Sequence, residues 1–163
     1  MKTTPLLVIR PTTTADTGLI LHFIKEIAAY EKMSDKVFAT EDNIKQSIFI
    51  NHHAEAFILE INKQAIGFAL IYQNYSSFLG KAGMYLEDIY IVDKHRNHGY
   101  GKQALSFLAK LAIERGLSRI EWSVLNWNEP SIAFYNKIKA KPMNEWTGYQ
   151  LDGEALFACS NNQ

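Results

Sequence analysis

The chain contains one cysteine and four prolines among its 163 residues, and its charges balance. Because a single cysteine cannot form an internal disulfide, a small secreted domain held together by disulfides is excluded. Seventeen Lys and Arg residues and 17 Asp and Glu residues give a formal net charge of zero. Proteins that bind nucleic acid or acidic membranes usually carry an excess of positive charge, so we expect neither partner.

A long apolar run is also missing. No segment approaches the roughly 18 to 20 apolar residues that cross a membrane. At the start, MKTTPLLVIRP, Arg10 and Pro11 interrupt an apolar run that is already too short for a signal peptide. We therefore expect a cytoplasmic protein. With 47% hydrophobic residues, the chain has enough material for one well-filled core and too little length for two ordinary domains, which predicts a single domain over residues 1–163.

Hydrophobic periodicity predicts both strands and helices in the first half of the chain. Residues 6–10 alternate as a short strand. A stripe of apolar residues at helical spacing follows, formed by Leu19, Phe23, Ile27 and Tyr30. A second helix is predicted to begin at Thr40, a good N-cap residue. Residues 57–61 and 66–72 are apolar runs separated by a turn, which predicts an antiparallel hairpin.

The second half predicts a crossover and a closing strand. A strand at residues 84–92 is followed by a loop, a helix and a strand at residues 119–125, and such a crossover makes the two strands parallel neighbours. A final helix begins after Asn128, and residues 149–157 are predicted to close the sheet. The order β-α-α-β-β-β-α-β-α-β predicts an α/β (α+β) fold, with a mixed, mostly antiparallel central sheet, helices on both faces and one central β-α-β crossover.

The turn between the strand at residues 84–92 and the next helix has an Arg-x-x-Gly-x-Gly pattern, formed by Arg96, Gly99 and Gly101. Glycines let successive backbone N–H groups curl around an anion, and the helix directs its positive dipole end to the same point. The pattern therefore favours a pyrophosphate site. A plain strand-to-helix turn also favours glycine, and the glycines alone leave that interpretation open.

Other chemistry has weaker support. Residues 99–104 also fit the dinucleotide pattern Gly-x-Gly-x-x-Ala, with Glu121 as the ribose-binding acid, but that fold needs several β-α-β units and the chain has one. A Walker loop and a Gly-x-Ser-x-Gly elbow are absent from the sequence. His95 and His98 lack carboxylate or cysteine companions at metal-ligand spacing, so no metal is expected.

Three further blocks accompany the glycine turn: Tyr30-Glu31-Lys32, YLEDIY at residues 85–90 and WNEPSI at residues 127–132. Together they resemble the spermidine/spermine (diamine) N-acetyltransferases of the GNAT superfamily, over about residues 8–156. The resemblance implies a GNAT-like fold and direct transfer of the acetyl group of acetyl-CoA to a primary amine of a small diamine, polyamine or thialysine-like substrate. It also implies a homodimer with the substrate site near the subunit interface, to which residues 149–157 would contribute.

The same resemblance assigns residues to the cofactor. The pantetheine arm would follow the backbone of Ile89, Tyr90 and Ile91. The pyrophosphate would lie against the turn formed by Arg96, Asn97, His98, Gly99, Tyr100, Gly101 and Lys102. The final helix would add contacts from Asn128, Glu129, Pro130, Ser131 and Tyr135.

Amine acetylation needs an uncharged amine and a proton for the departing thiolate. The resemblance makes Tyr135 the proton donor, and a phenol of reference pKa about 10 can protonate a thiolate of reference pKa about 8.5. It makes Glu87 the group that contacts the amine through water and relays its proton, with Asp88 in a supporting role in substrate binding. The other substrate positions would be Tyr30, Glu31, Glu121, Trp122 and Ser123.

The residues by themselves leave simpler roles open. Glu87 and Asp88 are adjacent in an otherwise apolar strand, so we expect them on opposite faces, with at least one of them half-buried. Alternatively, either acid is one partner of a salt bridge and Glu31 is a solvated surface charge. Tyr135 is alternatively a core residue among apolar neighbours.

Three departures from the family pattern bear on the substrate. Tyr75-Ser76-Ser77-Phe78 stands where spermidine-type members have Asp-Pro-Trp, and it is closer to the branch that acetylates thialysine-like amino acids. Thr147-Gly148-Tyr149 replaces an acid-Gly-Trp, and Lys139-Ala140 replaces an expected glycine. Loss of an acid favours a shorter or less charged amine. The alternative functions are acetylation of protein lysines or N-termini, and non-catalytic CoA binding.

Overall fold

Five β-strands form one mixed sheet in the computed structural model, which describes residues 5–161. Strands β1 to β5 follow chain order across the sheet and comprise Leu7–Pro11, Glu55–Ile61, Gln64–Ser76, Lys81–Ile91 and Ile120–Glu121. Neighbouring strands are antiparallel from β1 to β4, whereas β4 and β5 are parallel. The predicted fold class and its central β-α-β crossover are confirmed.

The described residues also form five α-helices, α1 to α5, which comprise Thr17–Tyr30, Glu41–Ile44, Tyr100–Glu114, Glu129–Lys137 and Gly153–Ser160. Helix α2 begins after Thr40, as predicted, because the Thr40 side chain accepts a hydrogen bond from the backbone N–H of Asn43 at 3.2 Å. It continues as a wider π-helical turn over Lys45–Ile50. None of the helices within residues 5–161 is long and apolar enough to cross a membrane.

The chain divides into two compact units, the first ending at Ser123 and the second beginning at Val124. The first unit holds the sheet and helices α1 to α3, and the second holds α4 and α5.

The core of the first unit lies on both faces of its sheet. On one face, Phe23 of α1 stacks on Phe68 of β3 with 5.6 Å between ring centroids, and Ile58 belongs to the same buried cluster. Against the other face, Phe107 of α3 meets Phe57 edge-on at 5.3 Å. Because Phe57 and Ile58 are consecutive residues of β2, α1 and α3 cover opposite faces, as predicted.

Two predicted strands differ from the structure. Of residues 119–125, only Ile120–Glu121 pairs with β4. The predicted closing strand at residues 149–157 is wrong, because helix α5 begins at Gly153. Extended Asp152 precedes this helix, Glu154 lies in its first turn, and residues 153–160 are rich in the helix formers alanine, leucine and glutamate.

Candidate active site

A β-bulge interrupts the pairing of β3 with β4 beside the predicted catalytic acid. Leu70 pairs with Asp88, but the next residue, Ile71, pairs with Leu86, so Glu87 is an extra residue without a partner in β3. An extra residue of this kind re-aims side chains and is common next to active sites.

The bulge interrupts the alternation of side chains on which the prediction for Glu87 and Asp88 depends. Beyond the bulge Tyr72 pairs with Tyr85, and before it Leu70 pairs with Asp88. Since Leu70 and Tyr72 share a face of β3, Tyr85 and Asp88 also share a face, although they are three positions apart and regular alternation would place them on opposite faces. This is the face that α1 covers, because Phe68 lies on it too.

The carboxylates of Glu31, Glu87 and Asp88 lie close enough for their charges to interact. The charge of Glu87 raises the pKa of Glu31, which follows α1, although burial is the larger cause. Burial also raises the pKa of Asp88 to about 7, and the charges of Glu87 and Glu31 add to this effect. No ion pair within residues 5–161 includes any of these three acids. The salt-bridge alternative for Glu87 and Asp88 is therefore wrong.

The raised pKa of Asp88 predicts a measurable stability effect. The folded protein retains the Asp88 proton up to about pH 7, whereas the unfolded chain loses it near pH 4. The folded state therefore binds more protons over this window, so Asp88 lowers the free energy of unfolding progressively from about pH 4 to pH 7. We expect Asp88→Asn to raise that free energy at pH 8 by about 2 kcal/mol.

Urea unfolding at pH 4, 6 and 8 measures this effect. The difference between Asp88→Asn and the unaltered protein should grow with pH over this range. Asp35→Asn, at an exposed position, is the matched control. A difference of the same size at all three pH values would contradict the explanation.

An aromatic pair lies beside the acids, and sequence reasoning gave it no role. The rings of Tyr72 and Tyr85 stack with 4.9 Å between centroids. The hydroxyl of Tyr85 lies 2.8 Å from that of Ser123. Burial raises the pKa of Tyr72, and the charge of Glu87 adds to it. The pairing register of β3 with β4 could have identified this pair, since Tyr85 belongs to the YLEDIY block and Tyr72 lies opposite it.

Of the other predicted substrate residues, Glu121 is already engaged by neighbouring side chains. Its carboxylate accepts a hydrogen bond from Asn74 Nδ2 at 2.6 Å and forms an ion pair with Arg119 Nε at 2.9 Å. Trp122 is half-buried and Ser123 is exposed. The charge of Glu121 is therefore partly compensated within the protein, unlike that of the three acids at the bulge.

The edge of β4 that faces β5 is open over the predicted pantetheine residues. Pairing with β5 consists of Met84 with Ile120 and Tyr85 with Glu121. Residues 89–91 lie beyond it and pair with β3 on the other side of the strand. No other strand within residues 5–161 joins β4 along this edge. Such an edge offers backbone groups to an extended amide ligand, and the carbonyl oxygen of Ile91 already accepts a hydrogen bond from Arg96 Nε at 2.7 Å.

The predicted pyrophosphate turn is open at its glycines. Asn97 and Gly99 adopt left-handed backbone conformations, with φ of 62° and 81°. A Cβ atom built on Gly99 would have no neighbour within 4 Å, and one on Gly101 would meet only Ile91 Cδ1, at 3.9 Å. The N-terminal N–H groups of α3 begin there and lack partners within the helix. The turn is therefore not filled by its own side chains and fits a diphosphate.

Side chains around the turn have different environments. Tyr100 is buried, whereas Asn97, His98 and Lys102 are exposed. The imidazole Nδ1 of His98 lies 2.6 Å from the carbonyl oxygen of Arg96.

The second unit carries the remaining predicted residues at the start of α4. Asn128 is buried, and its Oδ1 accepts a hydrogen bond from the backbone N–H of Ser131 at 3.4 Å. Glu129 and Pro130 form the first turn of the helix. Tyr135 is half-buried, and its ring lies 5.6 Å from that of Phe134. No residue of α4 is fully buried, which does not fit a core role for Tyr135.

Metal chemistry gains no support from the side chains. Within the described residues, no group of three or more His, Cys, Asp and Glu side chains is arranged to hold a metal ion.

Comparison with known proteins identifies the family. The acetyltransferase (GNAT) family matches residues 21–139, and the chain belongs to this family of N-acetyltransferases. The chain is 32% identical to the thialysine N-epsilon-acetyltransferase of Bos taurus, over 91% of its own length and 94% of the relative. It is 29% identical to the L-ornithine N5-acetyltransferase of Arabidopsis thaliana, over 92% of its own length and 86% of the relative.

Solved structures agree on the fold. An integron cassette protein of V. cholerae superposes with a TM-score of 0.79 at 22% identity, covering 96% of this chain and 98% of its own. A ribosomal-protein-alanine N-acetyltransferase from Brucella melitensis biovar Abortus 2308 superposes with a TM-score of 0.71 at 20% identity, covering 91% of this chain and all of its own.

Proposed function

We propose that residues 1–163 form one N-acetyltransferase domain that transfers the acetyl group of acetyl-CoA directly to a primary amine of a small diamine, polyamine or thialysine-like substrate. The observation that carries this proposal is the group of three acids, Glu31, Glu87 and Asp88, which lack a cation of the protein among the described residues. Glu87 and Asp88 lie on β4, the strand whose open edge leads into the glycine turn, and Glu31 follows α1. A cationic amine provides the missing charge.

Acetyl-CoA, when bound, supplies the thioester that carries the acetyl group. The backbone of Ile89, Tyr90 and Ile91 would hold its amide-containing arm by strand-like hydrogen bonds. The N–H groups of residues 97–102 would hold the diphosphate at the N-terminus of α3. Asn128 and Ser131 at the start of α4 would add further contacts.

Alanine at Gly101 tests the cofactor site separately from the fold. The position has room for a Cβ atom, and alanine in a helix is favoured over glycine by at most about 1 kcal/mol. We therefore expect Gly101→Ala to leave the free energy of unfolding unchanged or slightly higher. The added methyl group lies where the diphosphate would approach the backbone, so the Kd for coenzyme A should rise about 10-fold.

Urea unfolding and isothermal titration with coenzyme A measure the two effects. Gly148→Ala is the matched control, because a Cβ atom there has no neighbour within 4 Å and the position is outside the turn. Unchanged affinity of Gly101→Ala for coenzyme A would count against a diphosphate at this turn.

Different side chains carry out the proton transfers of the reaction. Glu87 accepts a proton from the ammonium group of the substrate through water, which leaves a nucleophilic amine. Asp88 and Glu31 hold the cationic substrate beside it. As the amine nitrogen bonds to the acetyl carbon and the carbon–sulfur bond breaks, the nitrogen releases its second proton to water. Tyr135 donates its proton to the departing thiolate and regains one from water. No acyl-enzyme is formed, and the one cysteine, Cys159, lies near the end of the chain.

The substrate class follows from the surroundings of the acids. Three carboxylates select a cation, and the stacked rings of Tyr72 and Tyr85 offer an apolar surface for the methylenes of a short chain. Two relatives are named for thialysine and L-ornithine, and both compounds are amino acids with a side-chain amine. With Glu121 engaged by Arg119, we propose a short amine of this type ahead of a long polyamine.

A thiol-release assay with acetyl-CoA tests the proposal. The panel contains thialysine, lysine, ornithine, putrescine and spermidine, together with a lysine-containing peptide and an N-terminal peptide. We expect the highest kcat/KM with the amino acids. Turnover of peptides alone would favour a protein acetyltransferase. Tight binding of acetyl-CoA by isothermal titration without turnover of any amine would identify a non-catalytic module instead.

We also propose a cytoplasmic homodimer. Large apolar side chains of the second unit are exposed in the single chain, among them Trp146 at 71%, Tyr149 at 95% and Phe157 at 71%. A second copy that covers them would remove this apolar area from water. Sedimentation equilibrium of the full chain should give twice the mass of the monomer, and the monomer mass at micromolar concentration would contradict the dimer.

A further inference from the structure

The side chain of Arg96 is bound into the first unit instead of pointing freely into the pyrophosphate turn. Its Nη1 forms an ion pair with Asp93 at 2.6 Å, and its Nε donates a hydrogen bond to the carbonyl oxygen of Ile91 at 2.7 Å. Its guanidinium carbon lies 4.5 Å from the ring centroid of Tyr30 and 5.2 Å from that of Tyr90. The contacts with Asp93 and Ile91 hold Arg96 at the end of β4, and those with the rings of Tyr30 and Tyr90 hold it against the core.

These contacts join the two halves of the proposed site. Tyr30 is the last residue of α1, and Glu31, one of the three acids, follows it directly. Arg96 is the first residue of the Arg-x-x-Gly-x-Gly turn. The guanidinium of Arg96 is therefore held against the end of α1, next to Glu31. The backbone of Arg96 begins the proposed cofactor turn. Tyr90 is fixed in turn by a hydrogen bond from its hydroxyl to Glu26 at 3.3 Å.

We propose that Arg96 is a positioning residue that couples the cofactor turn to the amine site through the ring of Tyr30. The inference rests on the proposed function and changes the role predicted for this side chain, from a cofactor contact to an internal connection. When coenzyme A binds, it orders the glycine turn and with it Arg96. Arg96 in turn orders the end of α1 at Glu31. Binding of the two substrates is then positively linked.

Lysine cannot replace arginine in this role. The four contacts use the flat face of the guanidinium together with N–H groups in its plane, and an ammonium group has neither geometry. A residue that only attracted phosphate by charge would tolerate lysine. Arg96→Lys therefore distinguishes the two roles while it keeps the charge of the turn.

The test is a double-mutant cycle read by the affinity for coenzyme A. Arg96→Lys, Tyr30→Leu and the double variant are compared with the unaltered protein by isothermal titration. We expect Arg96→Lys to raise the Kd about 10-fold and Tyr30→Leu about 5-fold, with the double variant no weaker than Arg96→Lys alone. Arg115→Lys, at an exposed ion pair with Glu55, is the matched control and should leave the Kd within 2-fold.

Amine kinetics supply the second measurement. Arg96→Lys should raise the KM for the best amine at least 5-fold at saturating acetyl-CoA, with a smaller change in kcat. A merely structural role would instead change the melting temperature and leave this KM unaltered. An Arg96→Lys variant with unaltered Kd and KM, or fold-changes that simply multiply in the double variant, would overturn the proposal.

The outcomes separate this inference from the function on which it rests. If the unaltered protein binds coenzyme A but acetylates no amine, the proposed function fails and the double-mutant cycle still decides the role of Arg96. If the unaltered protein acetylates an amine and the cycle is additive, the function stands and the coupling role fails. Absence of coenzyme A binding to the unaltered protein overturns both.

Discussion

Replacing Tyr135 by phenylalanine should lower kcat by about 10² to 10³-fold, the range expected when a positioned general acid is removed. The phenol would otherwise protonate the departing thiolate, and phenylalanine keeps the ring while it removes the proton. Because the ring still occupies its place on α4, the KM values for acetyl-CoA and for the amine should change by less than about 3-fold. Steady-state kinetics with the best amine of the panel measure both constants.

Tyr149→Phe is the matched control for this substitution. Tyr149 is also in the second unit, is 95% exposed in the single chain and lies outside α4. Phenylalanine keeps the apolar ring that the proposed dimer would cover and removes only a hydroxyl group, so we expect kcat to stay within 2-fold. If Tyr135→Phe matched that control, Tyr135 would not be the proton donor and water would have to protonate the thiolate. A large rise in the KM for acetyl-CoA with unaltered kcat would assign Tyr135 to binding instead.

Replacing Glu87 by glutamine should lower kcat/KM for the amine by about 100-fold, because it removes both a proton acceptor and the attraction for the ammonium group. The carboxylate and the amide have nearly the same shape, so the bulge should be retained. The loss should be smaller at high pH, where more of the amine is uncharged in solution. The pH profile of kcat/KM measures this difference.

Glu114→Gln, at the exposed end of α3, provides the control. Glu87→Gln has a second expected effect, because the charge of Glu87 raises the pKa of Asp88. Without that charge the pKa of Asp88 should be lower. The fall in the free energy of unfolding caused by Asp88 should then be complete below pH 7. Activity within 3-fold of the control at all pH values would exclude Glu87 as the proton acceptor.

Local patterns were sufficient to predict most of the fold. The apolar stripe of α1, the Thr40 cap and the hairpin of β2 and β3 each depend on residues close together in sequence, and each is confirmed. The strand predicted at residues 149–157 is wrong. Alanine, leucine and glutamate in that segment favour the helix that forms.

The site was harder to predict than the fold because its two main features depend on pairing between strands. Nothing in YLEDIY shows that Glu87 is skipped in the register with β3. Regular alternation would place Tyr85 and Asp88 on opposite faces, whereas the structure places them on one face. The opening beside β4 depends on where β5 leaves the sheet, and apolar residues continue past that point. The motifs predicted the candidate residues, and the register brings Tyr85 and Asp88 to one face.

The bulge at Glu87 lies next to residues of β4 that belong to the hydrophobic core. Downstream of it, Asp88 and Tyr90 share a face, with the ring of Tyr90 in the buried cluster beneath α1. Deleting the extra residue would leave Leu86 and Asp88 opposite Ile71 and Leu70 in a regular ladder, so no later side chain of β4 would change its face. Deletion of Glu87 should therefore remove activity while the buried and exposed faces of β4 are kept.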